Sequence, residues 1–324
     1  MWATLTGDVG ADDPFSTLRR NNFDALPKGR VRPLPRAPAH RDISVVAEPT
    51  RGYGPTMTYA QRADQFRALH RTGEPLLLPN AWDHASAAAL AHGGFPAIGT
   101  TSLGVAAAAG KADATGDTRE ETLRLAHGLA RLPALITVDI EGGFSDRPGE
   151  VAVLAAELVG AGVVGVNIED GRPDGTLADT ALQCELIRAV KESAPDLFVN
   201  ARTDTYWLRA GGAGETERRA ADYQLAGADG VFVPGLQDEK AIEGLVEGLA
   251  DVPLNILFAP GALTYGRLAE LGVRRVSSGS LLFRAALHGA VEAARSIARG
   301  DTVPQDLPSY ADAQALSAAY GEGV

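Results

Sequence analysis

Residues 161–170 read Ala-Gly-Val-Val-Gly-Val-Asn-Ile-Glu-Asp. Gly162 stands where a helix ends on a left-handed residue, a conformation glycine adopts without strain. The run 163–168 that follows is nearly all apolar, as a strand buried on both faces should be. Glu169 and Asp170 then close the strand with charge. Upstream, residues 151–159 (VAVLAAELV) have a helical pattern. One short stretch therefore carries a helix end, a buried strand and an acidic strand terminus.

The same joint recurs at Gly93-Gly94-Phe95-Pro96-Ala97, at Ala226-Gly227-Ala228-Asp229-Gly230-Val231 and at Leu271-Gly272-Val273-Arg274-Arg275-Val276. Four copies point to a parallel α/β fold. Apolar runs of strand length lie at 76–78, 97–101, 134–138, 163–168, 197–201, 230–233, 254–258 and 274–277. Helical patterns separate them, among them 177–191, 215–225 and 240–249. Eight strands, each followed by a helix, predict a (β/α)8 TIM-type barrel over residues 57–300. A doubly wound open sheet is the rival, and it lacks a GxGxxG after the first strand.

Composition narrows the function. The chain has 324 residues and a net charge of -11, with 45% apolar and 22% charged residues. These are globular values, and the acidic balance lacks the footprint of a nucleic-acid binder. No apolar run approaches the ~20 residues of a membrane span. The single cysteine, Cys184, excludes an internal disulfide, a CxxC pair and a Cys-rich zinc site. A soluble, cytoplasmic protein is expected.

Residues 1–56 differ from the rest. They hold eight Lys/Arg against six Asp/Glu, leaving 22 against 35 for the remainder. The stretch 27–38 (PKGRVRPLPRAP) has no period and reads as a disordered or loosely docked arm. It has no apolar signal region. A helix pattern begins at Met57, and the functional protein is expected to start near there, the arm being a tail or the result of an early start codon. Residues 301–324 form a C-terminal tail with a helical stretch at 311–320.

In a (β/α)8 barrel the chemistry sits at the C-terminal strand ends. The first strand ends in Pro79-Asn80-Ala81-Trp82-Asp83, where Asp83 reads as the cap of the next helix. The second ends in Thr101-Ser102-Leu103, followed by a small-residue loop with Gly110, Lys111 and Asp113. The third ends in Asp139-Ile140-Glu141-Gly142-Gly143, the fourth in Asn167-Ile168-Glu169-Asp170, the fifth in Ala201-Arg202-Thr203-Asp204. Asp139, Glu141 and Glu169 at one mouth would repel one another without a cation. Hard oxygen ligands suit Mg²⁺ or Mn²⁺, and Arg202 offers a fork for a substrate anion. The alternative is a structural ion-pair network around Arg202. The four lysines (Lys28, Lys111, Lys191 and Lys240) lie off the strands, which disfavours a Schiff-base aldolase. Of the histidines only His84 is near a mouth, which disfavours a multi-His metal site. Cys184 reads as a small hydrophobe within a helix.

These motifs, in this order over residues 58–300, resemble the isocitrate lyase / phosphoenolpyruvate mutase superfamily, and most nearly its 2-methylisocitrate lyase-like members. The resemblance implies Mg²⁺ bound by Asp139, with Glu141 and Glu169 holding it through waters; the family usually has Asp at the place of Glu141. It implies that Asp113 faces the metal waters. Thr101, Ser102 and Leu103 would grip a small anionic 2-oxo acid, and Arg202 would pair with its far end. Asp113, Glu169 and Arg202 are the expected catalytic groups. The shared chemistry is a pyruvate-like enolate chelated to Mg²⁺.

One departure bears on the reaction. Carbon–carbon lyases of this family carry a cysteine acid–base in a loop after the fourth strand. Here that loop is Gly171-Arg172-Pro173-Asp174-Gly175-Thr176-Leu177, without Cys, Lys or His. The Lys with Asn or Thr of the phosphonate enzymes is also missing. The leading expectation is a Mg²⁺-dependent lyase cleaving C–C in a small 2-oxo or 2-hydroxy dicarboxylate. A phosphonopyruvate- or phosphoenolpyruvate-type mutase or hydrolase, or an oxaloacetate-type decarboxylase, is the alternative; a silent 2-oxo acid-binding barrel is a third. In the resembling family the last helix, here 280–298, is exchanged between subunits, so a homodimer or homotetramer is expected.

Overall fold

The computed structural model describes residues 57–320 apart from Thr72. The expected arm, 1–56, and residues 321–324 lie outside the described residues.

Among the described residues nine short strands form one parallel sheet: β1 (Leu76–Leu78), β2 (Asn80–Ala81), β3 (Ala97–Thr100), β4 (Leu135–Asp139), β5 (Gly165–Glu169), β6 (Phe198–Arg202), β7 (Gly230–Val233), β8 (Leu254–Leu257) and β9 (Arg275–Ser277). Their order is β1-β9-β8-β7-β6-β5-β4-β3-β2. The two ends of that list are consecutive in the chain, so the sheet nearly closes into a barrel. β1 and β2 are two halves of one run, divided by Pro79, which has no N–H to donate. Leu76–Leu78 pairs with β9, and Asn80–Ala81 pairs with β3. The Pro79 carbonyl accepts the Gly99 N–H at 2.9 Å.

Asn80 staples the closure. Its side-chain NH2 donates to the Thr100 carbonyl at 2.7 Å. Its Oδ1 accepts the Gly279 N–H at 2.9 Å, and its own N–H donates to Ser278 Oγ at 2.9 Å. The second and last strand positions are thereby fixed to the first.

Helices surround the sheet: α1 (Tyr59–Leu69), α2 (His84–His92), α3 (Ser102–Ala108), α4 (Arg119–Leu129), α5 (Pro148–Ala161), α6 (Thr180–Ser193), α7 (Ala213–Leu225), α8 (Glu239–Leu249), α9 (Tyr265–Glu270) and α10 (Leu281–Arg299). The four joint glycines are left-handed, with φ of 84° at Gly94, 97° at Gly162, 104° at Gly227 and 86° at Gly272. The pattern at 177–191 becomes a helix only at Thr180, because Asp179 caps it by accepting from the N–H groups of Ala181 and Leu182. Residues 171–177 before it close into a small turn bridged between Gly171 and Leu177. Asp83 caps α2 as expected, in a reciprocal box with Ser86. Cys184 is buried in α6.

The tail continues into α11 (Tyr310–Ala315) and a 3-10 turn (Leu316–Tyr320). Tyr320 donates its hydroxyl to the His84 carbonyl at 2.7 Å, and Leu316 and Ala319 pack on the core. α10 buries only Phe283 within its own chain, which meets Trp82 edge-on. Leu287, Val291 and Ile297 remain exposed.

The core between sheet and helices is aliphatic, including Ile136, Val138, Leu154, Leu158, Val166 and Ile168. The barrel interior is partly polar. Arg275 is fully buried; its Nη2 donates to Asn167 Oδ1 at 3.1 Å and its Nε to Ser277 Oγ at 3.2 Å. Burial lowers its pKa to about 9, opposed by the charge of Asp139. A recess of about 560 Å³ opens at the N-terminal strand ends, between His70 and Pro253. Its lining carries Asp251 beside His70, Arg71 and Arg274, whereas Asp139, Glu169 and Arg202 stand at the opposite, C-terminal ends of their strands. Among the described residues no helix is long and apolar enough to cross a membrane.

Candidate active site

β4, β5 and β6 are adjacent and parallel, with Asp139 opposite Asn167 and Glu169 opposite Arg202. The register therefore places Asp139, Glu169 and Arg202 at one mouth. All three are largely buried: the side chains of Arg202 and Glu169 keep 14% and 5% exposure, and Asp139 keeps 8%.

Arg202 is engaged on every edge. Its Nε and Nη2 form a two-toothed pair with Asp204, at 2.6 and 3.0 Å. Its Nη1 lies 2.6 Å from Glu169 Oε2, an ion pair without hydrogen-bond geometry. The fork expected to face a substrate thus faces two carboxylates of its own chain. Asp204 is the residue that reading the sequence missed. Its signal was present, two positions beyond Arg202 in the same strand-end motif.

Asp204 is itself held in place. Its N–H donates to Asp170 Oδ1 at 2.8 Å. Asp170, fully buried, also accepts the Tyr223 hydroxyl at 2.6 Å and Arg219 Nη1 at 3.1 Å. The end of β6 and two successive turns of α7 thus converge on this carboxylate at the end of β5.

Asp139 ends β4 with its N–H donating to Thr100 Oγ1 at 2.9 Å and its Oδ1 accepting the Glu141 N–H at 3.2 Å. Glu141 turns the other way. Its Oε2 accepts the Gly116 N–H at 2.9 Å, and its Oε1 accepts the Thr118 hydroxyl at 2.6 Å. Asp113, on the same loop, has its Oδ1 buried without a hydrogen-bond partner. Thr101 precedes α3 without a side-chain capping bond, and its N–H is taken by the Ala81 carbonyl at 3.1 Å. Ser102 and Leu103 are the first residues of α3.

The electrostatics follow from this crowding. Burial pushes Asp139 up to about 6, with Asp113 and Glu141 adding to the rise and Arg202 opposing it. Burial likewise raises Glu169, with Asp204, Asp139 and Asp113 contributing. Asp204 is raised chiefly by burial, against the pull of Arg202. For Arg202 burial works against the charge, but Asp204, Glu169 and Asp139 outweigh it and hold the guanidinium protonated. Arg202, with Arg275 acting on Asp139 from deeper in the barrel, thus faces three buried acids.

That imbalance bears on a metal. Among the described residues no three His, Cys, Asp or Glu side chains converge as a ready ligand set. Mg²⁺ does not require one, since it typically takes one or two carboxylates and keeps several waters. The oxygen-only donors and the orphaned buried Asp113 Oδ1 fit a hard cation of that kind.

A parallel barrel with its charged side chains gathered at the C-terminal strand ends is the layout of an α/β-barrel enzyme. A family model described as phosphoenolpyruvate phosphomutase matches residues 66–298. The chain belongs to that family, within the isocitrate lyase / phosphoenolpyruvate mutase superfamily of enzymes. It is 45% identical over 256 residues to an uncharacterized protein of Mycobacterium tuberculosis, covering 79% of this chain and 96% of the relative. It is 33% identical to the 2-methylisocitrate lyase of Bacillus subtilis, over 59% of this chain and 65% of that one. It is 32% identical to oxaloacetate decarboxylase 1 of Pseudomonas fluorescens, over 55% of this chain and 63% of that one. The crystal structure of a Burkholderia cenocepacia protein described as a lyase/mutase superposes with a TM-score of 0.73 at 32% identity, covering 80% of this chain and 96% of that one.

Proposed function

We propose that this protein is a Mg²⁺- or Mn²⁺-dependent lyase that breaks a carbon–carbon bond in a small 2-oxo or 2-hydroxy carboxylate through an enolate. The observation that carries the reading is the excess of three buried acids, Asp139, Glu169 and Asp204, over the two buried cations that act on them, Arg202 in direct contact and Arg275 deeper in the barrel. A divalent cation bound there would offset that charge and stabilise the negative oxygen of the enolate. Asp139 and Glu169 would hold it, with Asp113 reaching its waters. Arg202, fixed by Asp204, supplies fixed positive charge beside the substrate anion, and reaches the substrate directly only if it exchanges one of its carboxylate partners. Thr101, Ser102 and Leu103 line the approach from the second strand position. The exposed apolar stripe of α10 supports a homo-oligomer in which that helix docks on a second copy.

Decarboxylation of an oxaloacetate-like acid is the second reading, and a specific observation favours it. The turn at 171–177 has no proton donor of the cysteine type, and Cys184 is buried in α6 with its thiol directed to the Asp222 carbonyl. Loss of CO2 needs enolate stabilisation first and a proton only afterwards, which water can supply. The test is pyruvate release, followed with lactate dehydrogenase. Oxaloacetate and 2-methylisocitrate are compared with Mg²⁺ and with EDTA. Release from oxaloacetate alone selects decarboxylation, and release from the hydroxy acid selects the lyase. No turnover of either, with intact metal binding, removes both readings.

A further inference from the structure

We infer that Glu141 is a positioning residue that latches the loop 109–118 and thereby holds Asp113 over the mouth of the site. What Asp113 does there rests on the reading above. The latch itself stands on geometry.

Glu141 is 3% exposed, yet its backbone is left-handed at φ 50°, a conformation strained for a residue with a long side chain. Its surroundings explain why the strain persists. The N–H of Glu141 donates to Asp139 Oδ1, and its carbonyl accepts the Glu169 N–H at 2.9 Å. With those two bonds made, the side chain points across to the loop between α3 and α4. There one carboxylate oxygen takes the Gly116 N–H and the other takes the Thr118 hydroxyl.

The loop needs such an anchor. Gly110, Ala114 and Gly116 all have positive φ. Residues 109–112 and 114–117 are exposed, while Asp113 is half-buried and turned inward. The other side-chain bonds of the loop stay local: Lys111 to the Asp117 carbonyl, Lys111 to Glu121 and Thr115 to the Ala112 carbonyl. The contact with Glu141 ties it to the β4 end across 23 to 25 positions of chain. Aspartate at position 141 is shorter by one methylene, about 1.5 Å, and would not reach both groups.

Two variants separate a latch from a charge. Glu141→Gln keeps the length: its oxygen still accepts from Gly116, and its NH2 can donate to Thr118 Oγ1. Glu141→Asp keeps the charge and loses the reach. The first readout is hydrogen exchange over 109–118 in the full chain without ligand. The second is binding of oxalate in the presence of Mn²⁺, in Glu141→Asp, Asp113→Asn and the double variant. A latch predicts exchange about tenfold faster in Glu141→Asp and near wild type in Glu141→Gln. It further predicts that Glu141→Asp weakens oxalate binding as much as Asp113→Asn does, with no further loss in the double variant. Unchanged exchange in Glu141→Asp overturns the inference. So does weak binding in Glu141→Gln with full binding in Glu141→Asp, which is the signature of a group acting by charge on the metal. If the wild-type protein binds no oxalate, the enolate reading fails and the exchange comparison alone decides the latch.

Discussion

Asp170 has no exposed surface and accepts three donors: the Asp204 N–H, the Tyr223 hydroxyl and Arg219. Burial and the Asp170 charge push the Tyr223 hydroxyl well above the usual tyrosine range, so that proton stays in the bond. Asp170→Asn leaves Arg219 with Glu215 as its remaining carboxylate and loosens Asp204, hence Arg202. We expect a stability loss of roughly 3 kcal/mol in urea unfolding; a loss under about 0.5 kcal/mol, the level of an exposed pair, would show that the network carries little. Asp139 gives a pH signature. Its folded pKa is raised to about 6 from 3.8, so the folded state binds the proton more tightly than the unfolded one. Its contribution therefore falls as pH rises from about 4 through 6 and is level above. In EDTA, wild type should lose up to about 3 kcal/mol relative to Asp139→Asn across that window. A gap that does not change with pH would mean that Asp139 is not held protonated. That Asp139, Glu169 and Arg202 close neighbouring strands at one mouth was legible in the sequence, because each ends an apolar run with a charge that the strand does not need for folding. Their partners were not: that Glu141 turns to Gly116, and Arg202 to Asp204, depends on loop geometry that no spacing encodes.

Elements were more legible than side chains. The joint glycines announced four helix ends, and strand bounds follow the apolar runs to within a residue or two. The division of the first strand at Pro79 was harder to foresee, because the apolar pattern passes through a proline whose effect depends on which neighbour each half meets. Gly162 tests the joint in isolation. A Cβ there would meet nothing nearer than 3.5 Å, while φ is 97°, so Gly162→Ala reports backbone strain alone. We expect a loss of about 1–2 kcal/mol by thermal or urea unfolding. No loss would mean that the joint relaxes without the left-handed residue.

At the scale of the whole molecule, α10 lies on its own barrel through Phe283 while Leu287, Val291 and Ile297 face outward. An amphipathic helix of 19 residues with an exposed apolar stripe calls for cover. Light scattering should find a dimer or tetramer, and Leu287→Asp should shift it toward monomer. A monomeric wild type would contradict the docking of this helix on a second copy. The barrel and its charged mouth were readable from the motifs; the cover of this helix lies beyond a single chain.

The enolate site is tested most directly by thermal unfolding with Mg²⁺ and oxalate, wild type beside Asp139→Ala. Oxalate has the planar, doubly oxygenated shape of a pyruvate enolate. At about 100 times its Kd it should add roughly 2.7 kcal/mol, seen as a rise in Tm of several degrees. The expected rise needs metal and oxalate together and is absent in Asp139→Ala. A wild-type protein unmoved by the pair, or a variant that responds as the wild type does, would contradict a metal-enolate site at this mouth.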